Sequence, residues 1–307
     1  MKTVEILMAT YNGAAFLPAQ LDSILAQDTD CWHLTVSDDS STDETPAILD
    51  DYARRFPEKI TRVFSGRRFG NARDHFFWLM GQCEAEYMHF CDQDDVWHPD
   101  KVRLMQEALE RAEEQYGAGT PLLVFTDQTV VDENLKEIAP SLMRLQRQDP
   151  EATDYRNILF QNIVTGCTSA INRSLAALAG QCRDTTQVIM HDWWLALVAA
   201  RFGKLVYLDV STMDYRQHGD NSVGAKDVES LSYIWSKLRR MDVLKMQFAR
   251  KKAQAREFLE IYGFRMDGQE QHLLEMFGRE HGSLRFKCGF HGFIPKLTRK
   301  IGFLLLW

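Results

Sequence analysis

The stretch Phe90-Cys91-Asp92-Gln93-Asp94-Asp95-Val96-Trp97 sets three carboxylates within four residues at the end of an apolar run, Tyr87 to Cys91. Carboxylates this close repel one another unless a cation sits among them. Oxygen ligands at this density suit Mg2+ or Mn2+, which would also hold a diphosphate. The competing reading is a solvated acidic turn that caps a helix starting near Pro99. The surrounding sequence decides between them. Val4 to Ala9 is another apolar run and ends in the polar turn Thr10-Tyr11-Asn12-Gly13. Leu34 to Ser37 ends in Asp38-Asp39-Ser40-Ser41-Thr42-Asp43, and Thr61 to Ser65 is a further strand. Between these runs apolar residues recur at helical spacing: Phe16, Leu17, Leu21, Ile24 and Leu25, then Ile48, Leu49 and Tyr52, then Phe76 to Met80. Strands alternating with helices imply an α/β fold, a parallel, doubly wound sheet covered on both faces. Ligands bind such sheets beyond the C-terminal strand ends. Polar clusters at three of those ends converge on one crevice, which favours the metal reading.

After about residue 120 the rhythm changes. Leu122 to Thr126 and Leu205 to Leu208 read as strands, Asn162 to Asn172 as loop plus strand, and Asp192 to Phe202 as an apolar helix. Val228 to Tyr262 is helical in pattern and basic. Residues 226–307 carry 16 Lys and Arg against 9 Asp and Glu, whereas the first 225 carry 20 against 34. The asymmetry predicts a main domain over residues 1–225, divided into a nucleotide-binding half (1–100) and an acceptor-side half (101–225). A helical basic extension follows over 226–307.

With 45% hydrophobic and 26% charged residues the chain reads as an ordinary soluble globular protein, and its net charge of −7 argues against nucleic acid as a partner. Cys31, Cys83, Cys91, Cys167, Cys182 and Cys288 form no CxxC pair and read as buried thiols of a reducing compartment. The absence of a secretion signal and of an 18-residue apolar run points to the cytoplasm.

Several further residues invite chemistry. A carboxylate at Asp38-Asp39 can accept hydrogen bonds from a base or from ribose hydroxyls; Asp39 or Ser40 can equally cap the next helix. The first turn lacks G-x-G-x-x-G and no P-loop occurs, which disfavours a dinucleotide enzyme or a P-loop kinase. Gly70-Asn71-Ala72-Arg73 offers an arginine to phosphates or to a salt bridge. Asp192, in Met190-His191-Asp192-Trp193-Trp194, opens a helix whose dipole favours its ionised form. It reads as a helix-terminal acid or as a general base. His218, in Tyr215-Arg216-Gln217-His218-Gly219-Asp220-Asn221, is a candidate metal ligand or phosphate contact, or a structural histidine.

Taken together, these segments resemble the family 2 inverting glycosyltransferases of the GT-A fold. The motifs that carry the resemblance are Met8-Ala9-Thr10-Tyr11-Asn12-Gly13, Ser37-Asp38-Asp39-Ser40-Ser41-Thr42-Asp43, Asp92-Gln93-Asp94-Asp95-Val96-Trp97, Thr165-Gly166-Cys167-Thr168, His191-Asp192-Trp193 and Tyr215-Arg216-Gln217-His218. They occur in family order over roughly the first 225 residues. Each is weak singly; six in register are a strong signal. The Asp92 to Trp97 segment, the Phe125-Thr126-Asp127 to Val131-Asp132 stretch and the segments around Asp192 and His218 are most similar to bacterial rhamnosyltransferases. Those enzymes build surface polysaccharides from dTDP-β-L-rhamnose.

The resemblance implies a GT-A, mostly parallel sheet flanked by helices. It implies donor contacts from Ala9, Thr10, Tyr11, Asn12, Asp39, Gly70, Arg73, Asp92 and Gln93. It places Mg2+ or Mn2+ on Asp94, with Asp92, Asp95 and His218 around it. Asp192 would be the base, and Gly166, Trp193 and Arg216 would lie on the sugar side. Two departures stand out: Asp-Asp-Ser-Ser where Asp-Asp-Gly-Ser is commoner, and Arg73-Asp74 where this subgroup often has Lys-Asn.

The expected partners are a nucleotide-diphosphate sugar, dTDP-rhamnose first, and a saccharide or lipid-linked saccharide acceptor. A UDP-sugar donor is the alternative, and an inactive nucleotide-sugar-binding module is the non-enzymatic one. Lys296, Arg299 and Lys300 beside Phe303, Leu304 and Trp307 suit peripheral contact with an anionic membrane on its cytoplasmic face, or a homodimer contact through the C-terminal helices.

Overall fold

The computed structural model describes residues 2–219 and 241–279. Expectations for the basic tail, for Asp220, Asn221 and Cys288, and for the helix before residue 241 fall outside them. In chain order the elements are β1 (Val4–Thr10), α1 (Leu17–Leu25), β2 (Trp32–Asp38), α2 (Thr45–Arg55), β3 (Ile60–Val63), α3 (Ala72–Gln82), β4 (Tyr87–Cys91), β5 (Val96–Trp97) and α4 (Lys101–Tyr116). The second half adds β6 (Leu122–Val131), β7 (Glu137–Ala139), α5 (Leu142–Leu145), α6 (Tyr155–Phe160), a 3-10 turn (Gly166–Thr168), β8 (Ser169–Asn172), α7 (Arg173–Ala179), α8 (His191–Phe202) and β9 (Lys204–Arg216). Helices α9 (Met241–Tyr262) and α10 (Gly268–Gly278) complete the described chain.

All strands join one sheet in the order β3-β2-β1-β4-β8-β6-β9-β5, with β7 on β6. The first four strands are parallel, as their alternation with helices requires. The rest is mixed. β8 runs antiparallel to both β4 and β6, β9 is parallel to β6, and the two-residue β5 is antiparallel to β9. Apolar periodicity carries no strand direction, so the reversed β8, four buried residues long, had no signature of its own. β9 is also longer than the expected Leu205 to Leu208 and bends where its register with β6 slips near Asp127.

Side chains alternate across the sheet and divide the core into two layers. Ile6, Met8, Tyr87, Cys91, Leu122 and Val124 pack with α1, α2 and α4. Leu7, Met88, Phe90, Leu123, Phe125 and Ile171 pack with α3, α7 and α8. The extension joins this second layer: Phe248, Ala255, Phe258 and Tyr262 recur at helical spacing on α9 and bury against the layer that holds Trp194. Residues of α9 and α10 thus share a core with α8. Among the described residues no helix is long and apolar enough to cross a membrane.

Candidate active site

Register delivers the first two polar loops side by side. β1 pairs with β2 so that Thr10 lies opposite Asp38, and Met8 lies opposite Cys91 on β4. At this edge the side chains satisfy one another. Asp38 accepts from the Thr10 hydroxyl at 2.9 Å and from Ser41 through both its N–H and its hydroxyl. Asp39, 5% exposed, accepts the N–H groups of Phe69 at 2.5 Å and Gly70 at 2.7 Å. Asp39 therefore positions the 69–70 loop, whose Gly70 sits at φ +73°. Neither Asp39 nor Ser40 caps α2; Asp43 accepts from the Thr45 N–H there instead. Ser40 occupies the left-handed region at φ 65°, the conformation that the commoner glycine adopts freely.

The Asn12 side chain accepts from the Thr42 N–H, and the Gln93 amide both accepts from and donates to the backbone of Tyr11 at 2.9 Å. Gln93 lies so close to Gly13 that a Cβ there would meet its amide carbon at 2.3 Å. Gln93, read as a donor contact, is thus a clamp on the first loop. Tyr11, 43% exposed, receives Arg68 on its hydroxyl at 2.9 Å and over its ring at 5.0 Å. Arg73 follows the salt-bridge reading: Nε and Nη2 bond Asp74, and Nη1 reaches the Val188 carbonyl. That pairing, with hydrogen bonds from Thr185 and Asn71, holds the Asp74 carboxyl well below its ordinary value.

The acidic cluster lies where the β4–β5 loop meets the end of β9, because β5 pairs Val96 with Asp214 and Trp97 with Met213. Asp94 and His218 meet at 2.8 Å, and Phe16 covers the imidazole at 4.6 Å between ring centroids. Arg216 is 4% exposed; its Nε donates to the Asp94 carbonyl at 2.9 Å, its Nη1 to the Glu133 carbonyl and its backbone N–H to Asp95 at 3.2 Å. It braces the acid loop. Carboxylate oxygens of Asp92 and Asp95 and the Cys167 sulfur lie within 4.8 Å of one another. Burial, reinforced by the charge of Asp94, pushes Asp92 up to about 7 and raises Asp95 well above the carboxylate range.

Beneath this cluster lies a residue that motif reading passed over. Lys101 is fully buried, with its ammonium on the Cys167 carbonyl at 2.8 Å and 4.7 Å above the Trp97 ring. Burial draws it down to about 8, opposed by the nearby acids. A cation in the first turn of α4 runs against the helix dipole, and that anomaly was the available signal. Cys167 itself falls inside the Thr165 to Thr168 motif, but a buried thiol reads as core and did not point to the acids.

Asp192 sits in the first turn of α8, its carboxylate taking the Gly166 N–H at 3.1 Å and the Trp193 N–H at 2.6 Å. The helix dipole by itself would lower its value. Desolvation outweighs it and pushes Asp192 up to about 7, against the lowering effect of those two N–H groups. Trp193 is anchored by its indole N–H on the Ile158 carbonyl at 2.6 Å, with Lys251 of α9 over its ring at 5.5 Å.

Residues 5–178 match the family model for glycosyl transferase family 2. The chain is 28% identical over 253 residues to the dTDP-rhamnosyl transferase RfbG of Shigella flexneri, covering 80% of this chain and 81% of that protein. The crystal structure of S. aureus TarS 1-349 in complex with UDP aligns at a TM-score of 0.58 and 14% identity, over 97% of this chain and 77% of that one. The mannosyltransferase PcManGT from Pyrobaculum calidifontis, in complex with GDP-Man and Mn2+, aligns at 0.52 and 16%, over 99% and 85%. The two structural matches establish the GT-A fold expected from the strand–helix alternation and motif order. The family match spans more than half of the sequence, so the chain belongs to glycosyl transferase family 2.

Proposed function

We propose that the chain transfers L-rhamnose from dTDP-β-L-rhamnose, with inversion, onto a hydroxyl of a saccharide acceptor, and that Asp192 is the general base. The observation that carries the chemistry is a division of labour among carboxylates. Asp192 stands near neutrality at the start of α8, apart from the Asp92–Asp95 loop yet close enough for its charge to raise Asp92. The sugar assignment is supported by the name of the Shigella relative.

The donor set fits a hard divalent ion. Asp95 is fully buried, and apart from the adjacent Cys167 thiol its Oδ2 has no hydrogen-bond partner among the described residues. Cys167 offers soft sulfur where Mg2+ and Mn2+ prefer oxygen, which leaves the carboxylates as ligands. Asp92, Asp94 and Asp95 would hold Mg2+ or Mn2+, with His218 orienting Asp94. Bound there, the ion would stabilise charge on the departing diphosphate.

The chain's own part is positioning and proton transfer. The acceptor O–H gives its proton to Asp192 as its oxygen bonds the anomeric carbon. The bond from that carbon to the diphosphate oxygen breaks, and its electron pair leaves with the nucleotide. A diphosphate needs no proton to depart, so one carboxylate suffices, in contrast to the flanking pair of a glycoside hydrolase. Attack from the far face turns a β-L donor into an α-L product.

The test is product formation from dTDP-rhamnose, UDP-glucose and UDP-galactose with Mg2+ or Mn2+ and a saccharide acceptor panel. An α-rhamnoside formed in preference, and lost in excess EDTA, is the expected result. Preference for a UDP-sugar transfers the assignment to glucosyl or galactosyl transfer. Donor binding without turnover on any acceptor makes the chain a binding module, and transfer undiminished by EDTA removes the ion.

A further inference from the structure

The Asp192 carboxylate is held by a neighbour chosen for its missing side chain. Gly166 opens the 3-10 turn and donates its N–H to Asp192 Oδ2 at 3.1 Å. A Cβ built on Gly166 would stand 2.8 Å from His191 Nε2, 3.2 Å from His191 Cε1 and 3.7 Å from Asp192 Cβ. His191 cannot yield easily. It is 6% exposed, and its ring lies 4.3 Å from Phe76 and 5.2 Å from Phe90 between centroids. Neither of its ring nitrogens has a hydrogen-bond partner among the described residues. Burial keeps it neutral, with its value drawn down to about 3. An imidazole held in this way serves as a flat spacer.

We infer that His191 and Gly166 form a packing pair that fixes the Asp192 carboxylate against the Gly166 N–H, so both are positioning residues for proton abstraction. The inference rests on Asp192 being the base. It replaces the sugar contact expected of Gly166 with a steric one: the turn approaches the ring as closely as only a glycine allows. A methyl group at 166 would displace either the ring or the turn, and Asp192 is attached to both, by the chain on one side and by the hydrogen bond on the other. Misplacing a reacting group by about 1 Å costs up to about 100-fold in rate.

The experiment compares the full-length chain with Gly166→Ala, His191→Ala, the double variant and Asp192→Asn, measuring kcat, donor KM, the pH profile and Tm. Gly166→Ala should lose about 10–100-fold in kcat with donor KM unchanged. The acidic limb of its pH profile should move upward, since an N–H that stabilises the carboxylate is displaced. His191→Ala should cost less. The double variant should recover at least about tenfold over Gly166→Ala, because the methyl group occupies the space the ring vacates. Should Gly166→Ala not fold, the double variant must regain both Tm and turnover; regaining Tm alone overturns the inference. A Gly166→Ala enzyme with wild-type kcat and an unmoved limb, alongside an inactive Asp192→Asn, overturns the pairing and leaves the base in place. A near-wild-type Asp192→Asn overturns the base assignment, and the pairing with it.

Discussion

At the nucleotide end of the crevice, Asp38 and Asp39 are surrounded by donors: five hydrogen bonds from Thr10, Ser41, Phe69 and Gly70 converge on their four oxygens. At the transfer end, Asp92, Asp95 and Asp192 are carboxylates raised by burial, backed by one sunken ammonium, Lys101. The same side chain is used in opposite ways. Saturated carboxylates make a rigid wall and add little reactivity. Carboxylates raised by desolvation favour a proton or a nearby cation, and such perturbed groups mark where chemistry is done.

Four experiments press on this contrast. The largest effect belongs to Asp192→Asn, which keeps the shape and cannot take a proton. Transfer should fall by about 10²–10⁴-fold, with donor affinity nearly unchanged. In the wild-type enzyme the base must be ionised, and its value stands at about 7, so kcat should climb between pH 6 and 8 and level off above. A flat profile across that window would place the base elsewhere.

Next comes the buried cation. Lys101→Met should destabilise the fold by about 1–3 kcal/mol, because it strands the Cys167 carbonyl and leaves the acids uncompensated. The sign with pH is distinctive. Asp92 and Asp95 have raised folded values, and their unfolded values are the same with or without Lys101. Losing it therefore costs least well below pH 7, where both carboxyls are protonated in the fold either way. The cost should grow as pH rises toward 7, where Asp92 ionises in the fold. Denaturant melts at pH 4 and pH 7.5 measure it; equal losses at both would detach Lys101 from the cluster.

On the saturated side the expected changes are smaller. Asp39→Asn turns an amide N–H toward the donors of Phe69 or Gly70, so the loop should loosen, donor KM should rise about tenfold and kcat should hold. A drop in kcat alone would mean that Asp39 acts on the reaction rather than on the loop. The smallest effect concerns Ser40, whose φ of 65° strains an L residue. Ser40→Gly should stabilise by about 0.5–1 kcal/mol and raise Tm by roughly 1–2 °C with turnover unchanged. A fall in Tm would show that the serine side chain supports the turn.

By itself the sequence determined the parallel half of the sheet, the converging strand ends and the family, because local periodicity and short polar motifs carry that information. The strand Tyr87 to Cys91, the turn after Val4 to Ala9 and the acids that follow could all be read from neighbours in the chain. Tertiary structure alone decided what each acid meets. Asp39 meets Phe69 and Gly70, Arg216 meets the Asp94 carbonyl, Lys101 meets Cys167, and Asp192 meets Gly166. Every one of these partners lies at least 26 residues away in the chain. The direction of the Asp192 shift followed the same rule. The helix dipole is local and visible in the sequence. Desolvation is the sum of everything packed around a group, and it exists only once the chain has folded.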